Sequence, residues 1–473
     1  MKICILQPDY STTTVDYKNY DPPRNLNHLL CNTHTVHYEY LNKLTTYKQL
    51  QLLATQQYDI FINLCEGYLE WEVPSLEVIT YLELLNLPYT GPNVLLYDPP
   101  KTLMKYVAYT AGVKTPLGTT LTKKSIIADT VTNLCYPLFV KPSKAGDSLG
   151  IDNNSLINNE DELTQKINTL LPLYNELLIE EYIKGREFTV LVVANNEGKG
   201  CVAYPPIEYI FLTPIHYKTY AHKTSALHTN ANIPCNNAVL AKQLQQAAEK
   251  IFTAFEGVGY ARLDFRVDAF NEIYFLEINF TCSVFYDNGY QGSADYILEL
   301  MPNGKQFFLQ QIINEGIARH NAKQKCYEVK GNAIAGYGIF ATAFITKGQI
   351  VYKGEEKAQR IVTKHHVHNN WGKDALYNFK HYAYPISNEV YILWDADPNN
   401  WAPQNHSCAA NTQYNGLNVI ANADIMVGQE LTLDYALFLN DNITPFACTC
   451  NAPNCRKLIT GTIHNRITNG TLS

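Results

Sequence analysis

The sequence predicts two unlike folds in series, an α/β region followed by a mostly-β region. Residues 1–95 alternate short apolar strands with helical patterns, and residues 101–300 continue with longer strands and helices. From residue 333 onward, short strands and glycine turns dominate. A length of 473 residues suits about two to four domains. The expected domains are 1–96, 97–318 and 328–460.

Residues 1–95 alternate strands and helices in the order typical of a small parallel α/β domain. Strands KICILQ and YDIFINL precede the helix SLEVITYLELL, and LNLPYTGPN supplies turn residues after it. The apolar run after Lys2 is too short for a signal peptide or a membrane span. The net charge of −7 does not indicate nucleic-acid binding. With eight scattered cysteines before residue 330, these features predict a cytoplasmic protein without a membrane or nucleic-acid partner.

Two lysines of the central region lie where phosphates could bind. The pattern KTLMKYVAYTAG predicts a helix that begins at Lys101, and the strand PLFVKPS delivers Lys141 to a glycine-bearing loop at 144–150. Backbone N–H groups of such a loop can hold phosphates while a lysine neutralises their charge. A plain hairpin turn would give the same pattern.

Carboxylates follow in the segment LLIEEYIKGREFTV. Glu180 and Glu181 end an apolar strand, and Glu187 follows a turn at Gly185. These carboxylates suit an adenine amino group and a ribose. A solvated strand edge is the alternative.

The segment YARLDFRVDAFNEIYFLEINF predicts a metal site on a strand pair. Asp264, Glu277 and Asn279 lie on two strands joined by a turn, so the two carboxylates can meet side by side. Carboxylate and amide oxygens are ligands that suit Mg²⁺ bridging phosphates. Arg262 shares a face with Asp264 by strand alternation and could hold a carboxylate or a transferring phosphoryl group. A buried salt bridge is the alternative.

These segments resemble the ATP-grasp superfamily, in particular the D-alanine–D-alanine ligases, over about residues 55–310. The resemblance implies a pre-ATP-grasp α/β domain, two α+β subdomains, a possible homodimer, and amide formation through an acyl phosphate. It implies ATP contacts from Lys101, Lys141, Glu180, Ile183, Glu187 and Lys218. It implies Mg²⁺ ligation by Asp264, Glu277 and Asn279, and stabilisation of the acyl phosphate by Arg262.

The chain departs from those ligases where amino-acid substrates bind. Asp147 replaces a serine, Cys65 stands where a histidine is usual, and NFTCSVFYDNG replaces Asn-Thr-x-Pro-Gly after the metal ligands. The N-terminal glutamate that receives the first D-alanine has no counterpart in QPDYSTTT. The expected substrate is therefore a different amino acid, peptide or amine.

The last part of the chain contains a cysteine cluster. Cys448, Cys450 and Cys455 have C-x-C-x4-C spacing, which indicates zinc ligands in a reducing compartment. Structural zinc has four ligands, and Cys408 in NHSC is the expected fourth.

The motifs GYGIFA, NHSCAAN, ELTLDY and CTC…C resemble a SET domain with a post-SET zinc segment, over about 328–460. The resemblance implies contacts to S-adenosylmethionine from Gly336, Tyr337, Gly338, Asn405 and His406. It implies that Tyr435 lies beside the methyl donor and the target amine. A core tyrosine is the alternative for Tyr435 alone. Leu433, two positions earlier, predicts room for di- or trimethylated products.

The histidines in KHHVHNN (364–370) could bind a metal, but the resemblance places this segment in an insert that varies among SET domains, so a surface loop is expected rather than a second metal site. Taken together, the sequence predicts a bifunctional ligase and methyltransferase with an amino-acid or peptide substrate and a lysine-containing acceptor. The alternative is a protein-lysine methyltransferase whose first half only binds nucleotide or a partner. A peptide-binding protein with both sites inactive is a third hypothesis.

Overall fold

The structure, a computed structural model, describes residues 1–14, 21–67, 72–125, 127–144, 149–195, 200–211, 217, 231–332, 336–395, 397–440, 442 and 444–461. Its contacts divide the chain into two compact units, Met1–Lys323 and Gln324–Ser473. Among the described residues, no helix has both the length and the apolar composition needed to cross a bilayer.

The first unit begins with a parallel three-stranded sheet of order β2-β1-β3. Its strands are β1 (Lys2–Pro8), β2 (Thr35–Leu41) and β3 (Ile60–Asn63). The central strand β1 is buried on both faces because its sequence is almost continuously apolar. Helices α1 (Thr46–Ala54) and α2 (Leu76–Leu84) pack against this sheet, and α3 (Lys101–Thr110) follows them in the chain.

A four-stranded antiparallel sheet of order β4-β7-β5-β6 follows. It consists of β4 (Gly118–Thr122), β5 (Leu138–Pro142), β6 (Leu156–Ile157) and β7 (Glu176–Glu181), with helices α4 (Ile127–Val131) and α5 (Glu160–Tyr174). Helix α5 begins where the Asn159 side chain accepts a hydrogen bond from Glu162 N–H. At Gly118 a Cβ would lie 2.9 Å from the Cβ of Glu180, so glycine permits close packing beside that carboxylate.

The largest sheet of this unit has six strands in the order β11-β10-β8-β12-β13, with β9 paired to β8. They are β8 (Arg186–Ala194), β9 (Cys201–Ala203), β10 (Ile207–Tyr209), β11 (Asn232–Pro234), β12 (Tyr260–Val267) and β13 (Ile273–Asn279). Helices α6 (Ala238–Ala254), α7 (Ser293–Glu299) and α8 (Gly304–Lys323) complete the unit. Helices α3 and α6 cover one face of the sheet, and α7 and α8 share a core with its other face and the first sheet.

The β12–β13 pair contains a register shift. Asp264 lies opposite Glu277, whereas Phe265 lies opposite Phe275, so Leu276 is the extra residue of a β-bulge. Arg262 and Asn279 are also paired, which places all four polar side chains on one face.

The second unit consists mainly of short strands, as predicted. They are β14 (Tyr327–Asn332), β15 (Gly336–Ala341), β16 (Ile350–Tyr352), β17 (Arg360–Thr363), β18 (Tyr384–Pro385), β19 (Val390–Leu393), β20 (Asn405–His406), β21 (Thr412–Asn415), β22 (Asn418–Ala421), β23 (Glu430–Leu433), β24 (Phe446–Ala447) and β25 (Leu458–Ile459). Its sheet β14-β15-β23-β20 joins the segments of the predicted methyltransferase motifs. Two helices, α9 (Lys364–Asn370) and α10 (Lys373–Tyr382), interrupt the strands.

One local prediction requires correction. The surface loop predicted at 364–370 is wrong, because these residues form helix α9, whose first turn is capped by Thr363 Oγ1 accepting from His366 N–H at 3.2 Å. Its three histidines are exposed and Val367 is buried. Between the two units, α8 extends to Lys323 and β14 begins at Tyr327.

Candidate active sites

Two lysines contact the carboxylate of Glu180, and a third lies beside Glu277. Lys141 Nζ donates to one oxygen at 2.6 Å, and Lys105 Nζ lies 2.6 Å from the other. Lys101, the first residue of α3, has its Nζ 3.9 Å from Glu277 Oε2. Burial lowers the pKa of Lys101 and Lys105, an effect opposed by the nearby carboxylates. The excess of positive charge over Glu180 suits a polyanion.

The pKa of Glu180 shows which electrostatic effect dominates there. Burial alone would raise it, but the ammonium groups of Lys105 and Lys141 outweigh burial and lower the pKa to about 2. Glu180 is therefore ionised at neutral pH, and its negative charge holds the two lysines in place.

The predicted magnesium ligands share one surface of the β12–β13 pair. Asp264 Oδ1 accepts from Thr189 Oγ1 at 2.8 Å, and Arg262 Nη2 donates to Asp264 Oδ2 at 3.2 Å. Asn279 Nδ2 lies 3.4 Å from Glu277 Oε1. Two carboxylates and an amide on directly paired residues provide the hard oxygen donors that fit Mg²⁺.

The predicted base-binding end of the site contains an arginine. Arg266 donates to the Ile183 carbonyl at 3.1 Å, to Glu187 Oε2 at 3.1 Å and to the Tyr182 hydroxyl at 2.8 Å. Arg266 is thus bonded to two groups predicted to hold adenine and ribose. Lys218 and residues 145–148 of the predicted phosphate loop lie outside the described residues.

The N-terminal pocket has a buried ionic cluster. Arg24 donates to Glu66 at 3.2 Å and to the main-chain oxygens of Leu64 at 2.7 Å and Val284 at 3.1 Å. Burial raises the pKa of Glu66 to about 8, although Arg24 opposes the shift. Cys65, at the position where a histidine is usual, is fully buried and adjacent to this cluster. The pocket therefore differs chemically from one that carries a histidine.

In the second unit, Tyr435 lies at the end of β23. Its hydroxyl donates to the main-chain oxygen of Gln404 at 2.5 Å. Burial raises the pKa of the Tyr435 phenol above its usual range, so it is protonated at neutral pH. The rings of His406, Phe438 and Phe446 pack within 5.5, 5.6 and 6.2 Å of the Tyr435 ring centre. Leu433 is buried in β23 and paired with His406.

The predicted cofactor residues meet where β15, β20 and β23 come together. Asn405 Nδ2 donates to the Tyr337 carbonyl at 3.3 Å and to Glu430 Oε1 at 2.6 Å. A Cβ at Gly338 would lie 2.5 Å from Glu430 Oε1 and 2.8 Å from Asn405 Nδ2, so glycine allows these side chains to pack against β15. Gly336 adopts φ +86°, a conformation that favours glycine. The predicted cofactor residues of β15 and β20 are therefore in direct contact.

The four C-terminal cysteines converge. Sulfur atoms of Cys408, Cys448, Cys450 and Cys455 all lie within 4.8 Å of one another, and Cys408 and Cys448 are 3.9 Å apart. A zinc–sulfur bond of about 2.3 Å gives tetrahedral sulfurs about 3.8 Å apart. Backbone N–H groups of Cys408 and Ala452 lower the pKa of Cys450 to about 6, which favours thiolate. The cluster therefore fits a structural zinc ion.

Three neighbours of these sites were not predicted: Lys105, Thr189 and Arg266. Lys105 lies one helical turn after Lys101 on α3, and this spacing could have identified it. Arg266 continues the alternation of Arg262 and Asp264 along β12. Thr189 has no comparable signal, because only the strand pairing brings it to Asp264.

Two different protein families match the two units of the chain. The family model described as D-ala D-ala ligase C-terminus matches residues 108–284, and the SET domain model matches 336–436. Among solved structures, the D-alanine–D-alanine ligase of Bacillus anthracis complexed with ATP is 21% identical, with a TM-score of 0.51 over 68% of this chain and 99% of its own. The VanG D-Ala:D-Ser ligase of Enterococcus faecalis is 17% identical, with a TM-score of 0.50 over 67% and 99%. The fold is thus ATP-grasp, followed by a SET domain.

Sequence relatives define the family more closely. The D-alanine–D-alanine ligase of Legionella pneumophila (strain Corby) is 31% identical over 260 residues, which cover 51% of this chain and 68% of the relative. Ligase B of Pseudomonas syringae pv. tomato is 33% identical over 201 residues, which cover 42% and 60%. The chain belongs to the D-alanine–D-alanine ligase family and additionally carries a SET domain.

Proposed function

We propose that the chain is a bifunctional enzyme. Region 97–318, with the α/β domain 1–96, joins a carboxylate to an amine at the expense of ATP, and region 328–460 transfers a methyl group from S-adenosylmethionine to a lysine-type amine. The observation that carries the proposal is the pairing of Asp264 with Glu277 beside Lys101. This arrangement offers both a divalent cation and polyphosphate their preferred partners.

In the ligase reaction, Lys101, Lys105 and Lys141 hold the phosphates of ATP. Asp264, Glu277 and Asn279 would hold Mg²⁺, which would supply charge neutralisation at the transferring phosphoryl group. A substrate carboxylate oxygen bonds to the γ-phosphorus while ADP leaves.

The amine nitrogen then attacks the acyl carbon, forms the amide and expels inorganic phosphate. Arg262 stabilises the negative charge during both steps. The Arg24–Glu66 cluster supports an amine or amino acid other than D-alanine as substrate.

In the methyltransferase reaction, Tyr435 orients the target nitrogen. Its phenol is a hydrogen-bond donor rather than a base, and it is held by the Gln404 carbonyl. The neutral amine attacks the methyl carbon as the sulfur–methyl bond breaks, S-adenosylhomocysteine leaves, and the methylated nitrogen releases a proton to solvent. The tyrosine thus contributes position and electrostatic stabilisation. Asn405 and the backbone of Gly338 hold S-adenosylmethionine, which supplies an electrophilic methyl group.

The two activities can be separated by two substitutions. Glu277→Gln is expected to lower amine-dependent ADP release at least about 100-fold and to leave methylation unchanged. Tyr435→Phe is expected to lower methyl transfer about 100-fold and to leave ADP release unchanged. Glu272→Gln, an exposed carboxylate at the far end of the same hairpin, is the matched control. Full activity in either variant contradicts the corresponding assignment.

A second candidate is a protein-lysine methyltransferase whose first unit binds nucleotide without ligating. The departures at the amino-acid end favour it, because Cys65 stands buried beside the Arg24–Glu66 pair where a histidine is usual, whereas the predicted ATP and Mg²⁺ residues are retained. ATP binding measured by calorimetry, with no ADP release in pools of amino acids and peptides, would support this candidate over the first.

A further inference from the structure

A histidine lies between the cysteine cluster and Tyr435. The main-chain N–H of Tyr435 donates to Nδ1 of His406 at 3.1 Å. Nε2 of the same ring lies 3.4 Å from Cys408 Sγ. Both ring nitrogens therefore have partners within the protein, one on the catalytic turn and one in the sulfur cluster.

The Tyr435 N–H can only donate, and this fixes the hydrogen-bond direction at both nitrogens of His406. Because Nδ1 accepts from the Tyr435 N–H, the neutral ring carries its proton on Nε2, which faces the sulfur of Cys408. The main-chain carbonyl of Leu433 is a further acceptor for this ring. A metal-bound thiolate is a much better acceptor than a thiol, which is weak in that role. Metal binding at the cluster would thus strengthen the contact that fixes the ring.

A second set of contacts also connects Cys408 to the residues on either side of Tyr435. The main-chain N–H of Arg456 donates to Cys408 Sγ at 3.4 Å, and its guanidinium contacts the carboxylate of Asp434. Asp434 in turn accepts from Ala436 N–H at 3.2 Å. The residues on both sides of Tyr435 are therefore connected to one sulfur atom.

We propose that His406 is a positioning residue that couples metal occupancy at Cys408 to the backbone of Tyr435. When the cluster holds zinc, the ring is fixed and the Tyr435 hydroxyl is presented beside the Gln404 carbonyl. When it does not, the turn that carries Tyr435 loosens. The proposal rests on the proposed zinc site and on the proposed role of Tyr435 in methyl transfer.

Hydrogen exchange on the full-length chain tests the coupling without an activity assay. Zinc is quantified first, and exchange at the Tyr435 amide is then compared before and after chelation. The expected result is roughly tenfold faster exchange without zinc, equivalent to losing one hydrogen bond. The Ile339 amide, on the β14–β15 hairpin, is the internal reference and should not change.

A pair of variants distinguishes coupling from general loosening. His406→Phe keeps a ring of similar size but removes both nitrogens, so exchange at Tyr435 should become independent of zinc. Zinc should also dissociate about 10- to 100-fold faster. Asn454→Ala removes a hydrogen bond to the Cys408 carbonyl, 3.0 Å long, that does not lead to Tyr435. This control should retain the zinc dependence.

The outcomes separate the coupling from the proposed function. If the wild-type chain holds zinc but the Tyr435 amide exchanges equally with and without it, the coupling is wrong and the zinc site stands. If the purified chain binds no zinc, both the metal site and the coupling are wrong.

Discussion

The strongest electrostatic prediction concerns Glu180. The variant Glu180→Gln retains the shape of the side chain but leaves Lys105 and Lys141 buried without their shared counter-charge. The carboxyl pKa falls from 4.5 to about 2 in the folded chain, which corresponds to roughly 3 kcal/mol at about 1.4 kcal/mol per pH unit. We therefore expect the variant to lose about 3 kcal/mol of unfolding free energy at pH 7, in the range measured for broken buried ion pairs.

The direction of the pKa shift determines the pH range in which Glu180 stabilises the folded chain. Because the folded pKa is lowered, the contribution of Glu180 is complete above pH 4.5 and decreases as the pH falls toward 2. Urea denaturation followed by far-UV circular dichroism measures the loss, with the two units analysed as separate transitions. Glu181→Gln is the matched control, since that carboxylate bonds only Cys135 N–H among the hydrogen bonds described. A loss no larger than that of the control, or one unchanged at low pH, would refute the reasoning.

Three further predictions address other residues. Cys450→Ser should abolish binding of about one zinc ion per chain in elemental analysis, whereas Cys235→Ser should not; retained zinc would exclude Cys450 as a ligand. Leu433→Tyr should restrict the methylated product to the monomethyl form in mass spectrometry, because the phenol fills space beside the amine, and unchanged di- or trimethylation would contradict this. Arg266→Met should destabilise the first unit by about 3 kcal/mol in urea denaturation. Its double-mutant cycle with Glu187→Gln should give a coupling of about 1–3 kcal/mol, and additive effects would exclude a direct interaction.

Much of the architecture could be predicted because it is encoded locally. Strand alternation places Asp264 and Arg262 on one face, and the spacing of Cys448, Cys450 and Cys455 indicates a common site. The roles of these residues remain predictions.

Other features depend on distant packing. The Arg266 contacts require β12 to lie beside the turn at Ile183, and the Arg24–Glu66 cluster joins segments 42 residues apart. Helix α9 was missed for a different reason: its place in a variable insert of the SET domain suggested an exposed loop, although the preceding Thr363 is a good helix cap.

Because of the bulge at Leu276, one hairpin keeps two carboxylates opposite each other and two phenylalanines opposite each other in the core. A regular antiparallel ladder could not do both. On one side of the bulge, Asp264 and Glu277 are in register; on the other, Phe265 meets Phe275 in the core with ring centres 5.9 Å apart. Without the extra residue, keeping the carboxylates opposite would place residue 276 against Phe265 and turn Phe275 toward the polar face. The aromatic core pair and the predicted metal ligands are therefore held in register independently of each other, and deletion of Leu276 would end that independence.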